Sequence, residues 1–459
     1  MTPVPFLRAR AAAAYAAMIL GAIGLFLFVR RYGETLAAPG PSVSVRTIAG
    51  AGPGNENVLL HLLIALTAVV IVGRLLGRLF AAIGQPPVLG EVIGGVLLGP
   101  SLLGAIAPEA YLFILPPSVV PFLGIVAQLG VVLYMFLIGL ELDSDLLRGQ
   151  VHATVAISHA SIVLPFVLGT TLALYLYPRV STSDVPFTSF ALFMGIAMSI
   201  TACPVLARIL SDLGMSKSQL GVIALTCAAV DDVTAWCLLA LVVGVVQAAA
   251  GRALLVTLLT LAFIGVMFVV VRPIAARLVR ELGDRDPSRG AVALTIVALL
   301  VAALVAEAIG VHAIFGAFLL GAVIPHDSRI SRTLIASLEH LVTILLLPAF
   351  FAFAGIRTEI GLLTGWEAWL ACGLIVLVAT AGKVGGTLLA GRATGLSWRD
   401  AAGLGVLMNT RGLMQLIVLN VGLDLGVITP TLFTMMVLMA LATTVATTPI
   451  LRRLVPTPQ

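Results

Sequence analysis

Apolar residues run along this chain in long blocks, and polar residues gather in the short gaps between them. Hydropathy divides the sequence into fourteen candidate membrane spans. They run roughly at 11–30, 57–80, 86–104, 118–142, 151–177, 186–212, 217–246, 252–272, 289–309, 311–325, 336–360, 365–391, 398–422 and 427–451. The third and tenth are short and glycine-rich. Loops are brief, apart from the segment 31–56 and a charged one around 273–288. The chain stops eight residues after the last span, so no regulatory soluble domain is expected. The predicted class is all-α and integral to the membrane.

Composition agrees with this pattern. The chain is 60% hydrophobic and 10% charged, with mean hydropathy +1.15. A soluble protein carries about 25% charged residues, so a water-soluble globule is excluded. The net charge of +5 comes from arginines placed around the spans and is no signature of nucleic-acid binding. With a cytoplasmic N terminus, 18 of the 26 basic residues fall on the inside and 6 outside. The remaining 2, Lys383 and Arg411, lie within apolar spans. Both termini are thus expected in the cytoplasm, with the plasma (inner) membrane as the site. The first span has a basic start like a secretory signal. Arg30 and Arg31 follow its apolar run directly and no clean A-x-A site comes next, so it reads as an uncleaved extra helix.

Cys203, Cys227, Cys237 and Cys372 all lie in apolar stretches, with no spacing that suggests a metal site. Gly382-Lys383 is followed by Val384, and no G-x-x-x-x-G-K-[ST] loop occurs, so no use of ATP is expected. Numbering the spans brings out a repeat. Spans two to seven form one set of six and spans nine to fourteen another, with span eight as linker, so the second set enters from the opposite side. Gly94-Gly95-Val96-Leu97-Leu98-Gly99 in span three matches Gly316-Ala317-Phe318-Leu319-Leu320-Gly321 in span ten. Gly139-Leu140-Glu141-Leu142-Asp143 ends span four, and Gly355-Ile356-Arg357-Thr358-Glu359 ends span eleven. The domains follow: 1–56 for the extra helix and outside loop, 57–246 and 289–459 for the two repeats, and 247–288 between them.

The chemistry centres on Asp231 and Asp232, midway along span seven. A charge at the bilayer centre costs roughly 3 kcal/mol on insertion scales, so two adjacent acids need cations, protons or a basic partner. Neighbouring helix positions point about 100° apart, so one acid can face a cavity while the other faces a neighbouring helix. Burial beside a like charge favours the protonated form of a carboxyl group. Such a group can exchange a proton for Na⁺ or K⁺, and competition for one carboxylate is the simplest antiport device. Lys383, one of only two lysines, lies well inside span twelve, and Asp231 is its expected partner across the bundle. Spans six and thirteen look broken at matching positions. Span six holds Thr201, Cys203 and Pro204, whose proline removes an amide donor. Span thirteen holds the polar run Asn409, Thr410 and Arg411. Opened helix ends at matched repeat positions mark the midplane site of secondary transporters. Arg411 neutralises the facing helix ends, pairs with an acid, or is purely structural. Glu91, Glu141, Glu307 and His312 are expected in structural roles, and Glu141 and Arg357 pair with loop or helix-end groups.

Several blocks, in order, resemble the monovalent cation:proton antiporter-2 family. They are Gln85-Pro86-Pro87-Val88-Leu89-Gly90-Glu91, Phe136 through Asp143, Thr201-Ala202-Cys203-Pro204-Val205-Leu206-Ala207-Arg208, Asp231-Asp232, and Met408-Asn409-Thr410-Arg411-Gly412-Leu413. The resemblance covers roughly 57–451. It implies the sodium/proton antiporter fold: two inverted six-helix repeats, two broken crossing helices, and here an extra N-terminal helix outside the usual plan. It implies a homodimer in the lipid bilayer, with a core of about 151–246 and 365–451 that moves like an elevator. Asp231 and Asp232 then correspond to the ion-binding pair, Lys383 to the charge-compensating lysine, and the cation is expected at Asp232, Asp231 and Thr201. Gln415 departs from the pattern, standing where many relatives carry an acid. No cofactor is implied beyond the transported Na⁺ or K⁺ and H⁺. The competing readings are a cation channel, or K⁺ efflux without obligatory proton coupling. A channel would want a filter segment, and none is evident. An intramembrane aspartyl protease would need its two acids on separate helices.

Overall fold

The computed structural model describes residues 5–40, 57–141, 151–247, 253–282 and 287–454. These form twenty α-helices, with no strand among the described residues. In order they are α1 (Pro5–Gly33), α2 (Val58–Ala82), α3 (Pro87–Leu98), α4 (Leu103–Ile106), α5 (Pro108–Ile114), α6 (Val120–Glu141), α7 (Val151–Val180), α8 (Phe187–Ser199), α9 (Cys203–Asp212) and α10 (Gln219–Gln247). There follow α11 (Ala253–Val266), α12 (Arg272–Leu282), α13 (Arg289–Ile309), α14 (Ala313–Val323), α15 (Arg329–Leu341), α16 (Leu347–Ile356), α17 (Gly365–Ala393), α18 (Trp398–Met408), α19 (Leu413–Asp424) and α20 (Pro430–Leu454). Twelve segments are long and apolar enough to cross a membrane, and the bent pair α18–α19 makes a thirteenth. The short α14 accounts for the remaining expected span. Leu142 and Asp143 of the span-four block lie outside the described residues.

Two stretches read as loop continue as helix. The charged segment after residue 272 forms α12, joined to α11 through a π-helical turn at Met267–Val271. Ile274, Ala275, Leu278 and Val279 share one face of α12, so its arginines can be solvated without ending the helix. Likewise α15 begins at Arg329, ahead of the expected apolar run.

Spans six and thirteen are each broken into two half-helices. Between α8 and α9 the backbone is extended at Ile200 and Ala202. Pro204 stands in the first turn of α9, where its missing N–H costs nothing. Between α18 and α19 the chain bends by 44°. The two breaks meet, and Ala202 N donates to Thr410 O at 2.9 Å.

Glycine contacts repeat between the two halves. A Cβ on Gly355 of α16 would meet Val92 O at 2.4 Å, Val96 N at 2.6 Å and Gly95 Cα at 2.7 Å on α3. One on Gly139 of α6 would meet Phe318 O at 2.3 Å, Ala322 N at 2.9 Å and Gly321 Cα at 2.9 Å on α14. Gly90 stands against the Leu76 carbonyl as Gly316 stands against that of Ala302. These contacts equate Gly90 with Gly316 and Gly95 with Gly321. That is one helical turn from the register expected above, which paired Gly94 with Gly316. Small residues recur about every four positions along close-packed helices, so the two registers look alike in sequence. Gly139 and Gly355 make like contacts, each to a carbonyl, an amide and a glycine Cα of the facing helix.

Candidate functional site

The site is built where α7, α10 and α17 pack around the two helix breaks. Asp231, on α10, is 1% exposed and accepts from four side chains. Ser158 Oγ donates to its Oδ1 at 2.5 Å. Ser161 Oγ at 3.0 Å, Thr201 Oγ1 at 2.9 Å and Lys383 Nζ at 2.8 Å all approach Oδ2. Lys383 is fully buried and also lies 3.4 Å from Ser161 Oγ. The expected partners Asp231 and Lys383 are therefore in direct contact.

Close backbone packing holds that contact. A Cβ on Gly382 would lie 2.7 Å from Pro165 Cα, and one on Gly386 would lie 2.5 Å from Ala160 O. The two glycines flank Lys383 and let α17 lie directly on α7.

Asp232 is placed differently. It keeps 7% exposure, and its Oδ1 is buried with no hydrogen-bond partner among the described residues. Asp231 and Asp232, when ionised, carry two negative charges and Lys383 one positive, which leaves one negative charge over within this group of three. A proton or one monovalent cation at Asp232 would neutralise it.

Thr201 links the acids to the crossing. Its Oγ1 also lies 3.0 Å from the Met408 carbonyl at the end of α18, so its single proton serves either that carbonyl or Asp231. Arg411 is buried and reaches back to the end of α8. It donates from Nη1 to Ala197 O at 2.9 Å and from Nη2 to Met198 O at 2.7 Å. These bonds satisfy carbonyls that a helix end leaves open. Nη1 also donates to Gln415 Oε1 at 2.8 Å. Thr444 Oγ1 clamps Arg411 from α20, accepting from its amide at 2.9 Å and donating to its carbonyl at 2.7 Å. Asn409 Nδ2 donates to Thr380 at 3.3 Å. Thr410 is buried and contributes the backbone contact to Ala202. Cys203 and Pro204 open α9 and stand at the break.

The remaining polar residues sit apart from this cluster. Arg357 donates to Asn420 at 2.9 Å and to Asp424 at 2.6 Å near the end of α19. Glu307 accepts from Ala313 N at 2.8 Å and, with the N-cap residue His312, closes the start of α14. Glu91 faces Gly73 on α2, and Glu141 ends α6 at the surface. Ser158 and Ser161 are not among the residues expected from the sequence. Their signal is a pair of hydroxyls at i and i+3, on one face of an otherwise apolar span.

Comparison with known proteins gives a consistent picture. A family model described as the sodium/hydrogen exchanger, transmembrane, matches residues 58–455. The Na⁺/H⁺ antiporter NhaS4 of Synechocystis sp. is 43% identical over 407 residues, 88% of this chain and 99% of that protein. Cation/H⁺ antiporter 18 of Arabidopsis thaliana is 40% identical over 91% of this chain and 52% of its own length. K⁺/H⁺ antiporter 1 of Saccharomyces cerevisiae is 32% identical over 89% of this chain and 48% of its own. The chain thus spans nearly all of the cyanobacterial relative and about half the length of the plant and yeast ones. A solved sodium proton antiporter of Methanocaldococcus jannaschii shares the fold, with a TM-score of 0.64 at 14% identity. That match covers 86% of this chain and 96% of the other.

Proposed function

The chain belongs to the sodium/hydrogen exchanger family, and we propose that it exchanges protons for a monovalent cation, Na⁺ or K⁺, across a membrane by alternating access. One observation carries this reading: Asp232 is buried with a carboxylate oxygen that has no partner among the described residues, beside an Asp231 that has Lys383 and three hydroxyls within hydrogen-bond distance. Burying a charge without a partner is costly, so Asp232 requires either a proton or a cation. The two compete for one group and need never be bound together. A cation at Asp232 finds Thr201 Oγ1 and Asp231 as further oxygen donors, suited to a hard monovalent ion. Drawing Asp231 towards that ion loosens its contact with Lys383. Arg411 and Thr201 hold the two broken ends in place while the ion binds. No covalent chemistry is assigned to these groups, and the ions are cargo. The relatives' names support a monovalent cation and divide between Na⁺ and K⁺.

The reading extends to architecture. Residues 57–246 and 289–459 form two inverted repeats around the linker 247–288, supported by the matched glycine contacts. The core, about 151–246 and 365–451, carries the site past the remaining helices in a homodimer. Both termini face the cytoplasm at the plasma membrane, as the arginine bias supports. The test is reconstitution in proteoliposomes holding a pH gradient and a quenched pH dye. Na⁺, K⁺ and Li⁺ added separately should each be scored for dequenching. Saturable dequenching by at least one of them is expected. Cation flux that persists with no proton movement would reject antiport in favour of a channel.

A further inference from the structure

The extra helix α1 packs on α7 and α8, which belong to the site-bearing core. It is attached along most of its described length. In its first half Tyr15 meets His159 edge to face, with ring centroids 5.4 Å apart. Further along, Phe26 packs on Phe166 at 6.2 Å. At the other end Gly33 lies against the Phe187 ring so closely that a Cβ there would come within 1.9 Å of it. Beyond the helix, Thr188 Oγ1 donates to Glu34 Oε1 at 3.0 Å and Ser183 N donates to Pro39 O at 3.0 Å.

The middle contact falls beside one of the two prolines inside α7. Pro165 lies inside α7 and has no amide proton, so the helix loses the bond it would make to the Ser161 carbonyl. Ser161 is one of the residues that hold Asp231, and Phe166 follows Pro165 directly. Thus α1 braces, through Phe166, the turn of α7 next to the one that holds the buried acid.

We propose that α1 is a splint of the moving core, travelling with α7 and α8 past α2, α3, α6, α13, α14 and α16. This rests on the reading that the core moves against those helices. Were α1 fixed to them instead, its contacts with α7 and α8 would have to break in every cycle. Those contacts include two aromatic pairs, a glycine packed face to ring and two hydrogen bonds at the far end.

Cross-linking in proteoliposomes tests this. Phe26→Cys with Phe166→Cys joins α1 to α7 through a short, reducible bifunctional thiol reagent. Tyr15→Cys with His159→Cys is the second pair, should the first fold poorly. A protease site placed within 41–56 reports the link, because linked fragments stay together after cleavage. The chain with only its native cysteines is treated alongside. The expected result is efficient linking with exchange kept within about twofold of that reference. A loss of about tenfold or more, restored by reductant, would overturn the proposal; so would failure of both pairs to link. Val88→Cys with Val205→Cys supplies the control, since Val88 of α3 packs on the cluster containing Val205 of α9. That link should stop exchange. Free exchange under it would refute the moving core itself, and the splint with it, independently of how α1 behaves.

Discussion

Lys383 Nζ lies 2.8 Å from Asp231 Oδ2, although the two residues stand 152 positions apart in the chain and both are sealed from the surface. Removing one partner from such a pair strands the other as a buried charge, at a cost of about 3–5 kcal/mol. Removing both leaves no stranded charge. Asp231→Asn and Lys383→Gln should each melt well below the parent, and the double variant should melt above either single one. A double-variant loss equal to the sum of the singles would mean that the two groups are energetically independent.

Asp232→Asn should separate transport from stability. The variant keeps the shape and removes the exchangeable charge. Because Asp232 Oδ1 has no donor among the described residues, the neutral amide relieves burial cost and strands no partner. The melting temperature should hold or rise, while dequenching by Na⁺ or K⁺ disappears. Normal exchange in this variant would remove the carboxylate competition on which the proposed mechanism depends.

Ser158→Ala and Ser161→Ala each delete one donor to Asp231. A hydrogen bond to a charged group contributes about 1.5–3 kcal/mol. Among the described residues Ser158 alone donates to Oδ1, whereas Oδ2 has three donors within reach. The loss of stability should therefore be larger for Ser158→Ala than for Ser161→Ala, and thermal melts of the two purified variants decide it. A reversed order would show that the two carboxylate oxygens are not held in this unequal way.

Arg411→Met should be among the most damaging changes outside the acids. It leaves the carbonyls of Ala197 and Met198, and the Gln415 amide oxygen, without their donor. Buried polar groups left unpaired cost about 1–3 kcal/mol each. Arg411→Lys retains the charge but loses the planar fork that serves two carbonyls at once. It should recover only part of the stability, as thermal unfolding would show. Full recovery by lysine would mean that charge alone, without geometry, holds the crossing.

What can be read from the sequence follows from cost. Asp231, Asp232, Lys383 and Arg411 stand out because each is a charge in an apolar span, where chance placement is expensive. The spans are visible for the same reason. Ser158 and Ser161 do not stand out, because a serine in a membrane helix can bond its own backbone, and Ser161 Oγ does lie 2.8 Å from Ser158 O. The register of the glycine contacts in spans three and ten is not legible, since glycines one turn apart carry the same local signal. Helix α12 was hidden because its arginines lower hydropathy without breaking the helical period. None of the contacts of α1 can be read from its own residues, because they depend on which helix lies beside it.

Gly385 and Gly386 offer the sharpest test of how the ion pair is held. Alanine is favoured over glycine in a helix interior by about 1 kcal/mol, so backbone preference alone would make both substitutions stabilising. Their surroundings differ. A Cβ on Gly385 meets only the Leu164 side chain, at 3.6 Å, an ordinary contact. A Cβ on Gly386 would lie 2.5 Å from the backbone oxygen of Ala160, which has no rotamer in which to escape. Helix α17 must then draw back from α7 and carry Lys383 away from Asp231. Gly385→Ala should keep exchange and hold or gain melting temperature, while Gly386→Ala should lose both, with Gly382→Ala behaving like the latter. Equal behaviour of the two neighbours would show that close approach of α17 to α7 does not set the distance between Lys383 and Asp231.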